Sequence, residues 1–301
     1  MRQSSGDAAQ AAGRRGEPVF ARLCEGFGLQ GEGVDLGSRL SAADLRLICR
    51  ALFDGQLLVL RNQNLTARQF HDFARHLGPP EPHVIDQFHH PQFADILILS
   101  NVQRDGKPVG LADAGTYFHS DYSYLDIPAR ATMLYSIEVP NRGGDTLFAN
   151  QYAAYDDLPA RMKQLIEPLV ALHRYGNRDD LDRKSRTVAS LLTAEQEQRM
   201  QWVRHRIARR HPVTGRTALY AVSGSSFRIE GMPDDEALAL LDELKRHATQ
   251  QKYQYRLSYG VGDVVIWDNA SLLHSATLTD PGDARTLWRI TVKESGPAPA
   301  H

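Results

Sequence analysis

Short apolar runs broken by turn residues dominate the chain from about residue 96 onward. Five β-rich runs cover residues 96–99, 131–137, 255–259, 263–267 and 287–292, and Gly, Pro, Asn and Asp separate them. Runs of this length, bounded by residues of this kind, are typical of the strands of a sandwich or barrel. The pattern therefore predicts a mainly β core.

Three segments with helical spacing accompany these strands. Ser41 and Asp44 make a capping box before the first, and Thr66 caps the second. The third covers residues 233–249, with acidic residues in its first turn and basic residues near its end, which complements the helix dipole. Leu57–Leu60 is a short buried run between the first two. The expected architecture is a β core with helices packed outside it.

The 301 residues fit one large domain, since single β sandwiches and barrels often reach about 200–250 residues. Residues 1–16 are predicted to be a disordered polar tail, and residues 17–301 a single domain. Within it, the charged stretch around 178–216 interrupts the strand pattern and is interpreted as a helical, solvated insertion or a lid.

Charge and cysteine content exclude several classes of partner. Thirty-five basic and thirty-six acidic residues give a net charge of −1, which offers no footprint for nucleic acid or an anionic membrane. No apolar stretch approaches the roughly 18 residues of a membrane span. Two cysteines and no secretory signal predict a soluble, cytoplasmic protein with reduced thiols.

His119 and Asp121 form a His-x-Asp triplet that predicts a metal site. In an extended segment, residues i and i+2 project from the same face, so the imidazole and the carboxylate converge. His274 is the candidate third ligand, because it follows the strand at 263–267 through a turn-prone Asp-Asn pair. Two histidines and one carboxylate suit an Fe(II) oxygenase, although zinc could use the same ligands.

Arg285 is a candidate clamp for a carboxylate. It lies eleven residues after His274 and leads into the last strand, and its guanidinium could bind a carboxylate with two parallel hydrogen bonds. Thr146 could add a hydroxyl donor, while Gly143 and Gly144 before it would allow close backbone approach. Three metal ligands, one clamp and one hydroxyl together predict a site for an anionic co-substrate.

With these motifs the chain resembles the taurine dioxygenase and aryloxyalkanoate (2,4-dichlorophenoxyacetate) dioxygenase family of Fe(II)/2-oxoglutarate-dependent oxygenases. The resemblance extends from about Leu40 to Val292. It rests on His119-Ser120-Asp121, Gly143-Gly144-Asp145-Thr146, Ala153-Ala154-Tyr155, His211-Pro212-Val213-Thr214-Gly215-Arg216, Trp267-Asp268-Asn269, His274, Arg285 and Arg289.

The resemblance implies a double-stranded β-helix core, a cupin-like jelly roll. It implies Fe(II), 2-oxoglutarate and O2 as cofactor and co-substrates. His119, Asp121 and His274 would be the iron ligands and catalytic centre, and Thr146 and Arg285 would bind the distal carboxylate of 2-oxoglutarate. Relatives are commonly homo-oligomers, so a homo-oligomer is expected by analogy.

The expected substrate is a small organic anion, a carboxylate or a sulfonate. His83 and Arg289 occupy positions that contact the acidic group of the substrate in the taurine enzyme, and Tyr122 adds aromatic surface beside the triplet. Gly115 departs from the family pattern, since the taurine enzyme has there an asparagine that reaches the substrate amine. Taurine itself is therefore not the expected substrate.

The predicted reaction is hydroxylation of this anion, with succinate and CO2 as co-products. If the hydroxylated carbon adjoins oxygen or sulfur, the product can fragment. Asp121 favours hydroxylation over halogenation, because halogenating relatives have a small residue in place of this carboxylate. The alternatives are a metal-dependent hydrolase or isomerase on a cupin-like fold, and a non-catalytic protein that binds a small molecule.

Overall fold

The structure is a computed structural model that describes residues 17–112, 114–176 and 192–294. The strands are β1 (Val19–Arg22), β2 (Leu29–Glu32), β3 (Leu57–Leu60), β4 (His89–His90), β5 (Phe93–Ser100), β6 (Gln103–Arg104), β7 (Lys107–Pro108), β8 (Ala129–Glu138), β9 (Thr146–Asn150), β10 (Val170–His173), β11 (Val203–Arg206), β12 (Ala208–Arg210), β13 (Thr217–Leu219), β14 (Ser226–Ile229), β15 (Gln254–Leu257), β16 (Val264–Asp268), β17 (Leu272–Ala276) and β18 (Thr286–Lys293). The helices are α1 (Ala42–Gly55), α2 (Ala67–Leu77), α3 (Gln151–Asp156), α4 (Ala160–Ile166), α5 (Ala194–Arg199), α6 (Asp234–Ala248) and a 3-10 turn at Gln251–Tyr253.

Two sheets form the centre of the molecule. The major sheet has eight strands in the order β1-β2-β3-β16-β8-β18-β5-β4, and the minor sheet has the order β15-β9-β17. Leu134, Val265 and Trp267 of the major sheet share one apolar cluster with Phe148 and Leu272 of the minor sheet. The two sheets therefore face each other across a common core.

Helices cover the outer face of each sheet. Along β8 and β16 the side chains alternate: Leu134 and Val265 point to the minor sheet, whereas Met133 and Ile266 pack with α1 and α2 in a second cluster. A third cluster joins α3 and α6 to the outer face of the minor sheet. Burial on both faces explains why β3 is apolar at every position instead of alternating.

The sequence predicts three of the helices and six of the strands. The capping boxes at Ser41 and Thr66 start α1 and α2 as expected, and the third predicted helix is α6. The five β-rich runs correspond to β5, β8, β15, β16 and β18. The molecule is mainly β with flanking helices, as predicted.

The basic run at 204–210 forms strands, where a helix face was expected. Residues 203–206 and 208–210 form β11 and β12. In β11, Val203 and His205 are buried while Arg204 and Arg206 are exposed, and this period of two leaves no helical face. Within the predicted insertion α5 is helical, whereas residues 178–191, like the tail at 1–16, lie outside the described residues. No helix in the described ranges is long and apolar enough to cross a membrane.

Candidate active site

His119, Asp121 and His274 come together as a cluster of possible metal ligands. Their ligand atoms all lie within 4.8 Å of one another. His119 Nε2 is 3.7 Å from Asp121 Oδ1, and His274 Nε2 is 3.5 Å from Asp121 Oδ2. The structure thus brings the three predicted ligand residues to one point.

The backbone holds the two histidines side by side. His274 lies in β17, and its N–H and C=O both pair with those of His119 at 2.9 Å, which makes an isolated antiparallel bridge. The extended segment predicted at His119 ends there, since Asp121 already begins a turn. Tyr122 follows with a φ of 51°, an unusual conformation for an aromatic residue that turns the chain after the carboxylate.

The chemistry of the donor set fits a divalent transition metal. His119 Nδ1 donates to the carbonyl of Tyr117 at 2.8 Å, which orients the ring with Nε2 toward Asp121. Burial, with His119 beside it, lowers the pKa of His274 to about 3, so this imidazole is neutral near pH 7. Its Nδ1 is buried without a hydrogen-bond partner among the described residues. Two imidazoles and a carboxylate suit Fe(II).

Asp121 is an ionised carboxylate although it is only 4% exposed. Burial alone would raise its pKa, but the guanidinium of Arg289, 3.5 Å from Oδ1, is the largest opposing influence, and the pKa lies well below its usual range. Oδ2 accepts a hydrogen bond from the Thr132 hydroxyl at 2.7 Å. The charged form required of a metal ligand is therefore favoured near neutral pH.

Sequence reasoning missed the residues that support this carboxylate. Asn269 Oδ1 accepts from the backbone N–H of Asp121 at 3.2 Å and from Trp267 Nε1 at 3.2 Å. The Trp267 ring also packs on His274, with centroids 4.6 Å apart. The only sequence feature that pointed to this region was the Trp-Asp-Asn triplet at 267–269, and it did not indicate what its members do. No sequence feature pointed to Thr132.

The predicted clamp residues converge on a third side chain that the sequence did not identify. Thr146 Oγ1 and the Tyr259 hydroxyl are 2.7 Å apart. Arg285 Nε donates to the carbonyl of Gly144 at 3.1 Å, and its guanidinium carbon lies 6.0 Å from the Tyr259 ring centroid. Burial raises the pKa of Tyr259 to about 12, so its hydroxyl is protonated near pH 7. Tyr259 thus links Thr146 and Arg285.

The Gly143-Gly144 pair allows the close approach that the sequence predicted. Gly144 has a φ of +66°, and a Cβ there would lie 2.8 Å from Arg285 Cδ. Gly143 has a φ of +72°, and its Cβ would lie 2.5 Å from the carbonyl oxygen of Leu278. Any larger residue would displace Arg285 or the backbone after β17.

The three predicted substrate residues lie together near Asp121. Arg289 has a side chain 11% exposed, and its guanidinium carbon is 5.6 Å from the Tyr122 ring centroid. The His83 ring is 6.0 Å from that of Tyr122 and 6.2 Å from that of Tyr175. The Tyr122 hydroxyl donates to the carbonyl of Glu81, and its buried ring lies against the Arg289 guanidinium. One cation therefore lies among aromatic rings next to the candidate metal ligands.

Comparisons with known proteins agree with this geometry. The profile of the family described as "Taurine catabolism dioxygenase TauD, TfdA family" matches residues 20–291. The α-ketoglutarate-dependent 2,4-dichlorophenoxyacetate dioxygenase of Cupriavidus pinatubonensis is 36% identical over 86% of this chain and 92% of its own. The α-ketoglutarate-dependent sulfate ester dioxygenase of Pseudomonas putida is 29% identical over 91% of this chain and 88% of its own.

A solved structure provides the same kind of match. The crystal structure of AAD-2 in complex with Mn(II) and N-oxalylglycine superposes with a TM-score of 0.77 and 29% sequence identity, over 93% of this chain and 98% of that one. That protein was crystallised with a divalent metal and an analogue of 2-oxoglutarate.

Proposed function

This chain belongs to the TauD/TfdA family of taurine catabolism dioxygenases and is a 2-oxoglutarate-dependent non-haem iron dioxygenase, and we propose that it hydroxylates a small organic anion. Fe(II), 2-oxoglutarate and O2 are its cofactor and co-substrates. One observation carries the choice of an anion: the guanidinium of Arg289, 11% exposed, lies beside the ligand cluster. A buried cation next to the reacting centre favours a substrate with an acidic group.

His119, Asp121 and His274 would hold the iron in this proposal. Bound iron supplies the O2 chemistry that couples the oxidative decarboxylation of 2-oxoglutarate to hydroxylation of the substrate. Thr146 and Arg285 would bind the distal carboxylate of 2-oxoglutarate, with Tyr259 orienting the Thr146 hydroxyl. The two facing sheets would be the halves of a double-stranded β-helix, and all five residues would then lie between them.

The overall reaction consumes one substrate R–H, one 2-oxoglutarate and one O2, and yields R–OH, succinate and CO2. Arg289 would bind the acidic group and so fix which C–H bond faces the ligand cluster. The rings of Tyr122 and His83 would pack against the substrate body and exclude water. If the hydroxylated carbon adjoins an ether or ester oxygen, the product would fragment.

Two features rank the substrate classes. The aromatic surface around Arg289 favours an aryloxyalkanoate over a small aliphatic sulfonate. Gly115 has a φ of +71°, and a Cβ there would lie 2.6 Å from His119 Cε1, so the asparagine of the taurine enzyme does not fit without moving this ring. Relatives named for 2,4-dichlorophenoxyacetate and for sulfate esters support an oxygen-linked anion.

Succinate release tests the proposal directly. The purified enzyme with Fe(II), 2-oxoglutarate and O2 is screened with aryloxyalkanoates, alkyl sulfates and sulfonates, each beside its uncharged ester or alcohol. We expect turnover of the anions only. Arg289→Gln loses one charge-assisted contact to the substrate, which should raise the KM for the substrate by about tenfold or more. Arg209→Gln is the matched control, because Arg209 is also largely buried, at 18% exposure, but pairs with Glu294, whereas Arg289 pairs with Asp121 of the ligand cluster. Equal turnover of the uncharged analogues would contradict the proposal.

The hydrolase or isomerase and the binding protein named as alternatives are not supported, because the relatives are dioxygenases. A homo-oligomer remains part of the proposal. Size-exclusion chromatography with light scattering tests it, and a monomeric mass at micromolar concentration would refute it.

A further inference from the structure

The carboxylate of Asp121 lies at the end of a chain of buried hydrogen bonds. Thr132 Oγ1 donates to Asp121 Oδ2 at 2.7 Å, and Asn269 Nδ2 donates to Thr132 Oγ1 at 2.9 Å. Thr132 and Asn269 are 0% and 1% exposed. A buried network of this kind is stable only when every polar atom has a hydrogen-bond partner, so the orientation of each side chain is fixed.

The direction of every bond in this chain follows from Trp267. The indole Nε1–H can only donate, so the atom of Asn269 that faces it must be the acceptor Oδ1, and Nδ2 must face Thr132. Thr132 Oγ1 therefore accepts from Asn269. Its single proton then goes to Asp121, since an ionised carboxylate is a stronger acceptor than the hydroxyl of Thr291, 3.1 Å away.

The two oxygens of Asp121 have different neighbours. Oδ2 accepts from Thr132 at 2.7 Å and lies 3.5 Å from His274 Nε2, whereas the groups nearest to Oδ1 are Arg289 at 3.5 Å and His119 Nε2 at 3.7 Å. The hydrogen bond from Thr132 therefore fixes the orientation in which the carboxylate faces both imidazoles.

We propose that Thr132 and Asn269 are positioning residues that fix the Asp121 carboxylate in the orientation that a metal between His119 and His274 would need. Without the hydrogen bond from Thr132, the carboxylate could rotate away from the two imidazoles. Thr132 lies on β8 of the major sheet, and Asn269 lies in the turn between β16 and β17. The hydrogen bonds thus tie both sheets to one carboxylate. This inference rests on the proposed ligand set.

Metal binding without turnover tests the inference. Mn(II) affinity is measured for the wild type, Thr132→Val, Thr132→Ser and Thr291→Val. Loss of such outer contacts of a ligand typically weakens metal affinity by about 10–100-fold, which we expect for Thr132→Val. Thr132→Ser keeps the hydroxyl and should restore most of the affinity. Thr291→Val removes an equally buried hydroxyl one strand away and should match the wild type.

A Co(II) spectrum adds a readout of coordination that stability alone would not change. The visible bands of Co(II) depend on coordination number, so Thr132→Val should alter them while Thr291→Val leaves them unchanged. If Thr132→Val does not fold, Asn269→Asp tests the same chain, because an ionised carboxylate at 269 cannot donate to Thr132. We expect that variant to weaken Mn(II) binding by about tenfold or more.

The controls separate this inference from the ligand assignment. His274→Ala should abolish tight Mn(II) binding; if it does not, the proposed ligand set fails. If His274→Ala abolishes binding but Thr132→Val and Asn269→Asp bind Mn(II) as the wild type does, the ligand set stands and the positioning role is refuted. Weakening of Thr132→Ser or Thr291→Val to the same extent as Thr132→Val would also refute it.

Discussion

The Gly115→Ala variant should displace His119 and weaken metal binding. A Cβ at position 115 would lie 2.6 Å from His119 Cε1, whereas carbon atoms pack at about 3.5–4.0 Å, so the ring must move by roughly 1 Å. The backbone cannot retreat cheaply, because the Gly115 carbonyl accepts from the N–H of Ala276 at 2.8 Å. The side chains of a functional site must be held within about 0.5 Å of their working positions. We therefore expect Gly115→Ala to lower Mn(II) affinity about 10–100-fold.

Gly106→Ala is the matched control for this prediction. Gly106 has a φ of +73°, close to the +71° of Gly115, but a Cβ there meets no atom within 4 Å. Both variants should lose about 1–2 kcal/mol of unfolding free energy from the left-handed backbone. Only Gly115→Ala should weaken Mn(II) binding, measured by titration beside thermal unfolding. Equal Mn(II) affinity in the two variants would refute the contact between Gly115 and a metal-ligating His119.

Two further substitutions test the co-substrate and substrate sides. Tyr259→Phe removes the hydroxyl 2.7 Å from Thr146 Oγ1, so 2-oxoglutarate should bind about 2–10-fold more weakly in an anaerobic titration, and unchanged affinity would contradict the bridging role of Tyr259. Burial, with Arg289 nearby, lowers the pKa of His83 to about 3, so the unfolded chain binds one more proton than the folded chain between about pH 6.5 and pH 3. The free energy of unfolding should therefore fall on acidification by up to about 1.4 kcal/mol per pH unit because of His83. In His83→Gln, denaturant titrations at several pH values should show a flatter dependence of that free energy on pH. The same dependence in both proteins would contradict the lowered pKa of His83.

Local patterns predicted much of the fold because the relevant forces are local. The capping boxes at Ser41 and Thr66 satisfy their own helix ends, and the apolar run Leu57–Leu60 becomes a strand buried on both faces. The sequence predicts His119, Asp121 and His274 as candidate ligands because metal ligands belong to a few residue types with recognisable spacing, and the structure brings the three together.

Contacts between distant segments could not be predicted in the same way. Tyr259 reaches Thr146 across 113 positions, and Asn269 reaches Thr132 across 137. Neither residue type nor sequence spacing links the members of these pairs, and only the packed structure shows what each one touches. The charged run at 204–210 was misread for a related reason, since its strands depend on pairing with β10 and β13.

We propose that His119, Asp121 and His274, together with Arg285, form the iron and 2-oxoglutarate site. Anaerobic titration with Fe(II) and 2-oxoglutarate, followed by the visible charge-transfer band of a chelated keto acid, tests it in the wild type, His274→Ala and Arg285→Ala. We predict a band in the wild type, no band without His274, and about 10–100-fold more 2-oxoglutarate needed without Arg285. Iron binding with no band in the wild type, or an unchanged band in either variant, would contradict the account.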